Sequence, residues 1–118
     1  MGFLKTLCGQ IGTSGTAQTA DVDVRAARAL QQQGARLIDV REPGEFAAGH
    51  ATGARNIPLG QLAGRATELA DAGTVLVICQ SGNRSKVAQG QLAARNVADV
   101  RNVTGGTKAW RAAGLPVE

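Results

Sequence analysis

Aromatic residues are almost missing from this chain. Phe3, Phe46 and Trp110 are the whole set, and there is no Tyr. A core for 118 residues must therefore be built from Val, Leu, Ile and Ala. The same scarcity argues against nucleic-acid binding, which draws on aromatic stacking platforms and a basic stripe. No run of three basic residues occurs, although Lys and Arg outnumber Asp and Glu by 13 to 9. A diffuse charge of +4 suits a small anionic substrate better, because it raises the local anion concentration. There are two cysteines, Cys8 and Cys79, too few for a secreted disulfide framework and without metal-ligand spacing. His50 is the one histidine and has no partner motif. No stretch approaches the roughly 20 apolar residues of a membrane span, and Met1 to Cys8 is too poor in apolar residues for a signal-peptide core. These absences lead to the expectation of a cytoplasmic protein that binds neither membrane nor nucleic acid and holds no metal or cofactor.

What remains is an ordinary globular composition, 43% apolar and 19% charged, in a length that fits one domain. Residues 1–17, rich in Gly, Thr, Ser and Gln, are expected to form a flexible arm, and residues 18–118 the domain. Asp21 or Asp23 is placed to cap a helix with Val24, Ala27 and Leu30 on its apolar side, closed by Gly34. Leu37–Val40 and Thr74–Ile78 are continuous apolar runs of strand length, the pattern of strands buried on both faces. Pro43 suits the first turn of a short helix. Leu59–Ala70 has helical spacing, and a short strand is expected near Ala54. Ser85 is expected to cap a helix to about Arg95. Val100–Val103 is a further strand, and Thr107 opens a last helix containing Trp110. Strands alternating with helices predict an α/β fold, a parallel sheet with helices on both faces. In such sheets ligands sit beyond the carboxyl ends of the strands.

Cys79 closes the strongest strand at that edge. The turn that follows, Gln80-Ser81-Gly82-Asn83-Arg84-Ser85, joins it to a helix. Gly82 lets the backbone curl and Asn83 tolerates unusual dihedrals. Such a turn points several N–H groups inward and makes an anion-binding nest, to which the helix adds its positive end. A cysteine in that field is expected to be a thiolate with a pKa well below that of a free thiol. The spacing is Cys-x4-Arg, one residue shorter than the Cys-x5-Arg loop of tyrosine and dual-specificity phosphatases. A tighter ring suits a single sulfur atom rather than a tetrahedral phosphate.

Four segments together resemble the rhodanese family, specifically its single-domain sulfurtransferases. They are Leu37–Phe46, Gly49–Pro58, the Cys79–Ser85 loop and Gly105–Val117. The resemblance covers about residues 18–118. It implies a five-stranded parallel sheet and a ping-pong reaction in which sulfane sulfur passes from a donor, thiosulfate or a persulfide, to a thiol or cyanide. A protein persulfide is a further possible partner. By position, Cys79 is the nucleophile and sulfur carrier, and Gln80, Ser81, Gly82, Asn83 and Arg84 supply the cradle, with Ser85 at its end. Arg84 can also attract the anionic donor. Asp39 and Arg41 support the neighbouring loops. Thiosulfate-using members often have a basic residue where Gln80 stands, which weakens the case for thiosulfate; Lys86 is the nearest substitute. Two other functions compete: a non-catalytic rhodanese-like binding or regulatory module, and a phosphatase or arsenate reductase of related fold. Retention of Cys79 argues against the first and the short loop against the second. Cys8 has no assigned role.

Overall fold

The computed structural model describes residues 19–118. The expected arm at 1–17, with Cys8, lies outside the described residues. The elements are β1 (Asp21–Val22), α1 (Val24–Gln32), β2 (Arg36–Asp39), α2 (Pro43–Ala47), β3 (Arg55–Asn56), α3 (Leu59–Leu62) continued by a 3₁₀ helix (Ala63–Leu69), β4 (Thr74–Ile78), α4 (Asn83–Ala93), β5 (Asp99–Val103) and α5 (Gly106–Ala112). The five strands form one parallel sheet in the order β1-β5-β4-β2-β3. β4 is therefore central, and its carboxyl end is flanked by those of β2 and β5.

Alternation along the strands divides the core in two. Val75 and Val77 of β4 pack with Ile38 of β2 against Leu62, Ala66 and Leu69 below α3, and against Ala88 and Leu92 of α4. Leu76 and Ile78 turn to the opposite face, where Leu37 meets Val24 and Ala27 of α1 and Trp110 of α5. Helices thus cover both faces, as expected. Trp110 is fully buried and its indole N–H donates to the Pro116 carbonyl at 2.8 Å, so the one large ring leaves no unmet polar atom.

Of the two cap candidates for α1 the structure uses Asp23, its carboxylate accepting from the Ala26 N–H at 2.8 Å, and two other local expectations need correction. Asp21 belongs instead to β1, an edge strand of two residues held by pairing with Asn102 and Val103. The helix over 59–70 breaks after Leu62 into 3₁₀ geometry. Gly60 and Gly64 weaken the α-helix there, and a threefold repeat keeps Ala66 and Leu69 on one buried face. Lastly, α4 begins at Asn83 rather than after Ser85.

Candidate active site

The early start of α4 organises the Cys79 loop. Gly82 occupies the cap position with φ +105°, a conformation natural to glycine, and has no side chain to cap with. A capping oxygen ordinarily accepts from the second or third helical N–H. Here Cys79 Sγ instead meets the N–H of the cap residue itself. It accepts from the Gly82 N–H at 3.1 Å. The Ser85 Oγ lies 3.4 Å away. Burial opposes ionisation of Cys79, which is 1% exposed, but the Ser85 hydroxyl and the Ser85, Gly82 and Ser81 amides outweigh it and hold the thiol below its ordinary value. The sulfur sits at the N-terminal end of α4, and the positive end of α4 favours its anion.

The outer side of the same loop is fastened to α5. The Thr107 N–H donates to the Cys79 carbonyl at 2.8 Å, and its hydroxyl donates to the same oxygen at 3.1 Å. The Lys108 N–H donates to the Gln80 carbonyl at 3.2 Å. There are no cis peptide bonds among the described residues, and in a trans peptide the carbonyl and N–H point in opposite directions. Holding the carbonyls of Cys79 and Gln80 outward therefore turns the N–H groups of Gln80 and Ser81 to the other side. Gly106 permits the approach. It has φ +61°, and a Cβ there would stand 2.4 Å from the Cys79 carbonyl oxygen.

Two ion pairs frame the loop. Asp39 and Arg41, at the end of β2, form a buried pair with contacts of 2.7 to 3.1 Å, and Arg41 also reaches the Gly49 carbonyl at 2.9 Å. Asn56 donates to the Asp39 and Arg41 carbonyls and ties β3 to this corner. Arg84 is bound by Glu45 of α2 through two parallel bonds of 2.7 and 2.9 Å. Glu45 also closes the capping box of α2. The Arg84 guanidinium, backed by the Glu42 N–H, lowers the Glu45 pKa from 4.5 to about 2. A carboxylate with a depressed folded pKa stabilises the fold above its unfolded value and loses that contribution as pH falls through the folded one. Both side chains are more than a third exposed, so solvent screening limits the pair to about 1 kcal/mol. Melting curves from pH 6 to 2 are expected to show Glu45→Gln less stable than wild type at pH 6, with the gap closing toward pH 2. Parallel curves would show that the pair contributes nothing.

The model of the Rhodanese-like domain matches residues 23–113. The chain belongs to the rhodanese-like family. A rhodanese-related protein of Thermoplasma volcanium superimposes with a TM-score of 0.73 at 31% identity, covering 84% of this chain and 97% of that one. An uncharacterized protein of Bacillus subtilis, YqhL, is 46% identical over 64% of this chain and 60% of its own length. Thiosulfate sulfurtransferase GlpE of Pseudomonas putida is 43% identical over 70% of this chain and 74% of its own. The match therefore spans less than two thirds of the Bacillus relative. No helix of the described residues is long and apolar enough to cross a membrane.

Within this rhodanese fold, Cys79, Gln80, Ser81, Gly82, Asn83, Arg84 and Ser85 fall in one strand-to-helix turn, with Asp39 and Arg41 at the next strand end. Arg84 does not stand alone as an anion anchor; its charge is matched by Glu45. Lys86 is drawn to Asp21 at 3.1 Å. His50 bonds through Nδ1 to the Phe46 carbonyl at 2.8 Å, stacks on the Phe46 ring and has Glu118 beside Nε2. Among the described residues no group of His, Cys, Asp and Glu could hold a metal ion. Sequence reasoning missed three contributors: Glu45 as the partner of Arg84, Gly106 with Thr107 behind the loop, and Asn102 beside Ser85. The Gly105-Gly106-Thr107 run was a usable signal for the second, since a glycine pair beside a ligand loop points to close backbone approach.

Proposed function

We propose that this rhodanese-like domain is a sulfurtransferase in which Cys79 carries sulfane sulfur as a persulfide. The observation that supports this reading most directly is the buried Cys79 sulfur at the mouth of a strand-to-helix turn, met by the Gly82 N–H at 3.1 Å and the Ser85 Oγ at 3.4 Å. The Cys79 thiolate attacks the sulfane sulfur of a donor such as thiosulfate. The new S–S bond forms as the donor S–S bond breaks, and sulfite departs with the electron pair. The product, Cys79–S–S⁻, keeps one negative charge, which the loop amides are suited to hold. A thiolate or cyanide then attacks the outer sulfur. Its bond to that atom forms, the Cys79 S–S bond breaks, and the pair returns to Cys79 as thiolate.

A nucleophile whose thiolate is already favoured needs no separate general base, so His50 has no part in this scheme. The Cys79 loop amides hold the transferred sulfur, Arg84 paired to Glu45 keeps the loop mouth fixed, and Asp39 with Arg41 supports the adjoining strand end. The donor class, small and anionic, is consistent with the excess of basic residues, and a protein persulfide remains compatible with Gln80 in place of a basic residue. Incubation with thiosulfate, a polysulfide or a cysteine persulfide, followed by intact-mass and peptide mass spectrometry, is expected to show one added sulfur on Cys79, removed again by cyanide. Absence of the adduct with every donor would overturn the reading.

A further inference from the structure

Ser85 Oγ lies between two acceptors and has one proton. Cys79 Sγ is 3.4 Å away on one side and Asn102 Oδ1 is 2.5 Å away on the other. All three residues are buried, Cys79 at 1%, Ser85 at 0% and Asn102 at 4% exposure. Asn102 comes from β5, in register with Val77 of β4, two residues before Cys79. While Cys79 is a thiol each donor in this chain meets an acceptor: the S–H donates to Ser85 Oγ, and the Ser85 O–H donates to Asn102 Oδ1. Once the proton leaves, sulfur only accepts, and Ser85 must turn its proton to it. Ser85 Oγ and Asn102 Oδ1 would then face each other at 2.5 Å as two acceptors without a hydrogen between them. A buried polar mismatch of this kind is costly. A half-turn of the carboxamide about its terminal bond removes it, because Nδ2 then donates to Ser85 Oγ. The hydrogen bonds among the described residues engage Asn102 only through Oδ1, so the turn sacrifices no bond of Nδ2 to them.

We propose that Asn102 is a positioning residue whose carboxamide reverses with the charge on Cys79, directing the Ser85 proton toward the sulfur when the sulfur is an anion. The proposal rests on the reading of Cys79 as a working thiolate. In the ping-pong cycle the same sulfur alternates between a full anion and the inner atom of a persulfide, so the demand on Ser85 changes twice per turnover.

Among the described residues, the charged pairs on the elements that carry or flank the loop are Arg84–Glu45 of α4 and α2, Asp39–Arg41 at the end of β2, and Lys86 of α4 with Asp21 of β1. All are retained in Ser85→Ala, which makes that variant the control for through-space effects. The ¹⁵N-labelled full chain is titrated while the Asn102 side-chain amide resonances and the rate of Cys79 alkylation by iodoacetamide are followed. The expected result is a shared midpoint below the free-thiol value of about 8.5, with an Asn102 amide proton moving downfield as it gains an acceptor. In Ser85→Ala the Asn102 transition is expected to vanish although Cys79 still titrates. Asn102→Asp, which can only accept when ionised, is expected to slow alkylation below the midpoint about tenfold, equivalent to one pKa unit, and by less in the Ser85→Ala background. A lowered wild-type midpoint with a stationary Asn102 amide, or an Asn102 transition that survives in Ser85→Ala, would overturn the proposal alone. A wild-type alkylation midpoint at about 8.5 would overturn the thiolate reading and the proposal with it.

Discussion

Cys79→Ser is expected to lower sulfur transfer from thiosulfate or a persulfide at least about a thousandfold, the scale of loss when a covalent nucleophile is removed, with the fold intact. The change is one atom. A serine hydroxyl remains protonated at neutral pH, so the amides that favour a thiolate have no anion to stabilise, and no S–S bond can form. The neighbours are little disturbed, because a hydroxyl can still accept from the Gly82 N–H and reach Ser85. Thermal melting should therefore move by only a few degrees, separating lost chemistry from lost structure. Full activity in the folded variant would remove Cys79 from the mechanism and revive the view of this domain as a binding module. Hydrolysis of p-nitrophenyl phosphate that disappears with Cys79→Ser would point instead to phosphoryl transfer.

Gly106→Ala should be the most damaging single-methyl change near the site, although it touches no predicted site side chain. The added Cβ would stand 2.4 Å from the Cys79 carbonyl oxygen and 2.6 Å from the Gln80 carbonyl carbon and oxygen, all of them backbone atoms. Alanine would also be held at φ +61°. Overpacking and backbone strain together put the cost at about 3 kcal/mol, a fall in Tm of about 10 °C or more. The chain can relieve the clash only by moving α5 away from the loop. That loosens the Thr107 and Lys108 bonds, and with them the inward aim of the Gln80 and Ser81 amides. Measured below its own Tm, the variant should lose about a hundredfold in turnover, the scale that small misplacements cost, and its Cys79 alkylation midpoint should rise. Gly114→Ala is the control: that glycine has φ +73° but open space around its missing Cβ. Equal damage from the two substitutions would assign the effect to φ alone and leave no special role for contact with the loop.

What the sequence made legible, and what it did not, follows from the range of the interactions. Thr74–Ile78 is apolar at every position because both faces of a central strand are covered, and that pattern is local. The Cys79–Arg84 spacing is local too. β1 escaped notice because two residues, one exposed and one half-buried, carry no periodicity; only Asn102 and Val103 make them a strand. The start of α4 escapes a capping rule because that rule looks for a side-chain oxygen at the cap, whereas here the cap is Gly82 in a left-handed conformation. Glu45 and Arg84 are 39 positions apart, and neither neighbourhood names the other. Asn102 sits in a strand whose other inward residues are apolar, so nothing nearby marks it as the third member of a hydrogen-bonded chain. The likeness to the rhodanese family supplied the fifth strand and the order of events at Cys79; only the geometry shows which groups hold the loop from behind.

The fastening of the Cys79 and Gln80 carbonyls by Thr107 and Lys108 also bears on how this protein is made. A ribosome delivers residue 79 well before residue 107. Until Thr107 and Lys108 have emerged, the loop lacks the partners that orient it. The Cys79 loop would thus take its final shape only after α5 is made, and a chain ending before Gly105 would carry the entire Cys79–Ser85 sequence without the backbone that aims it.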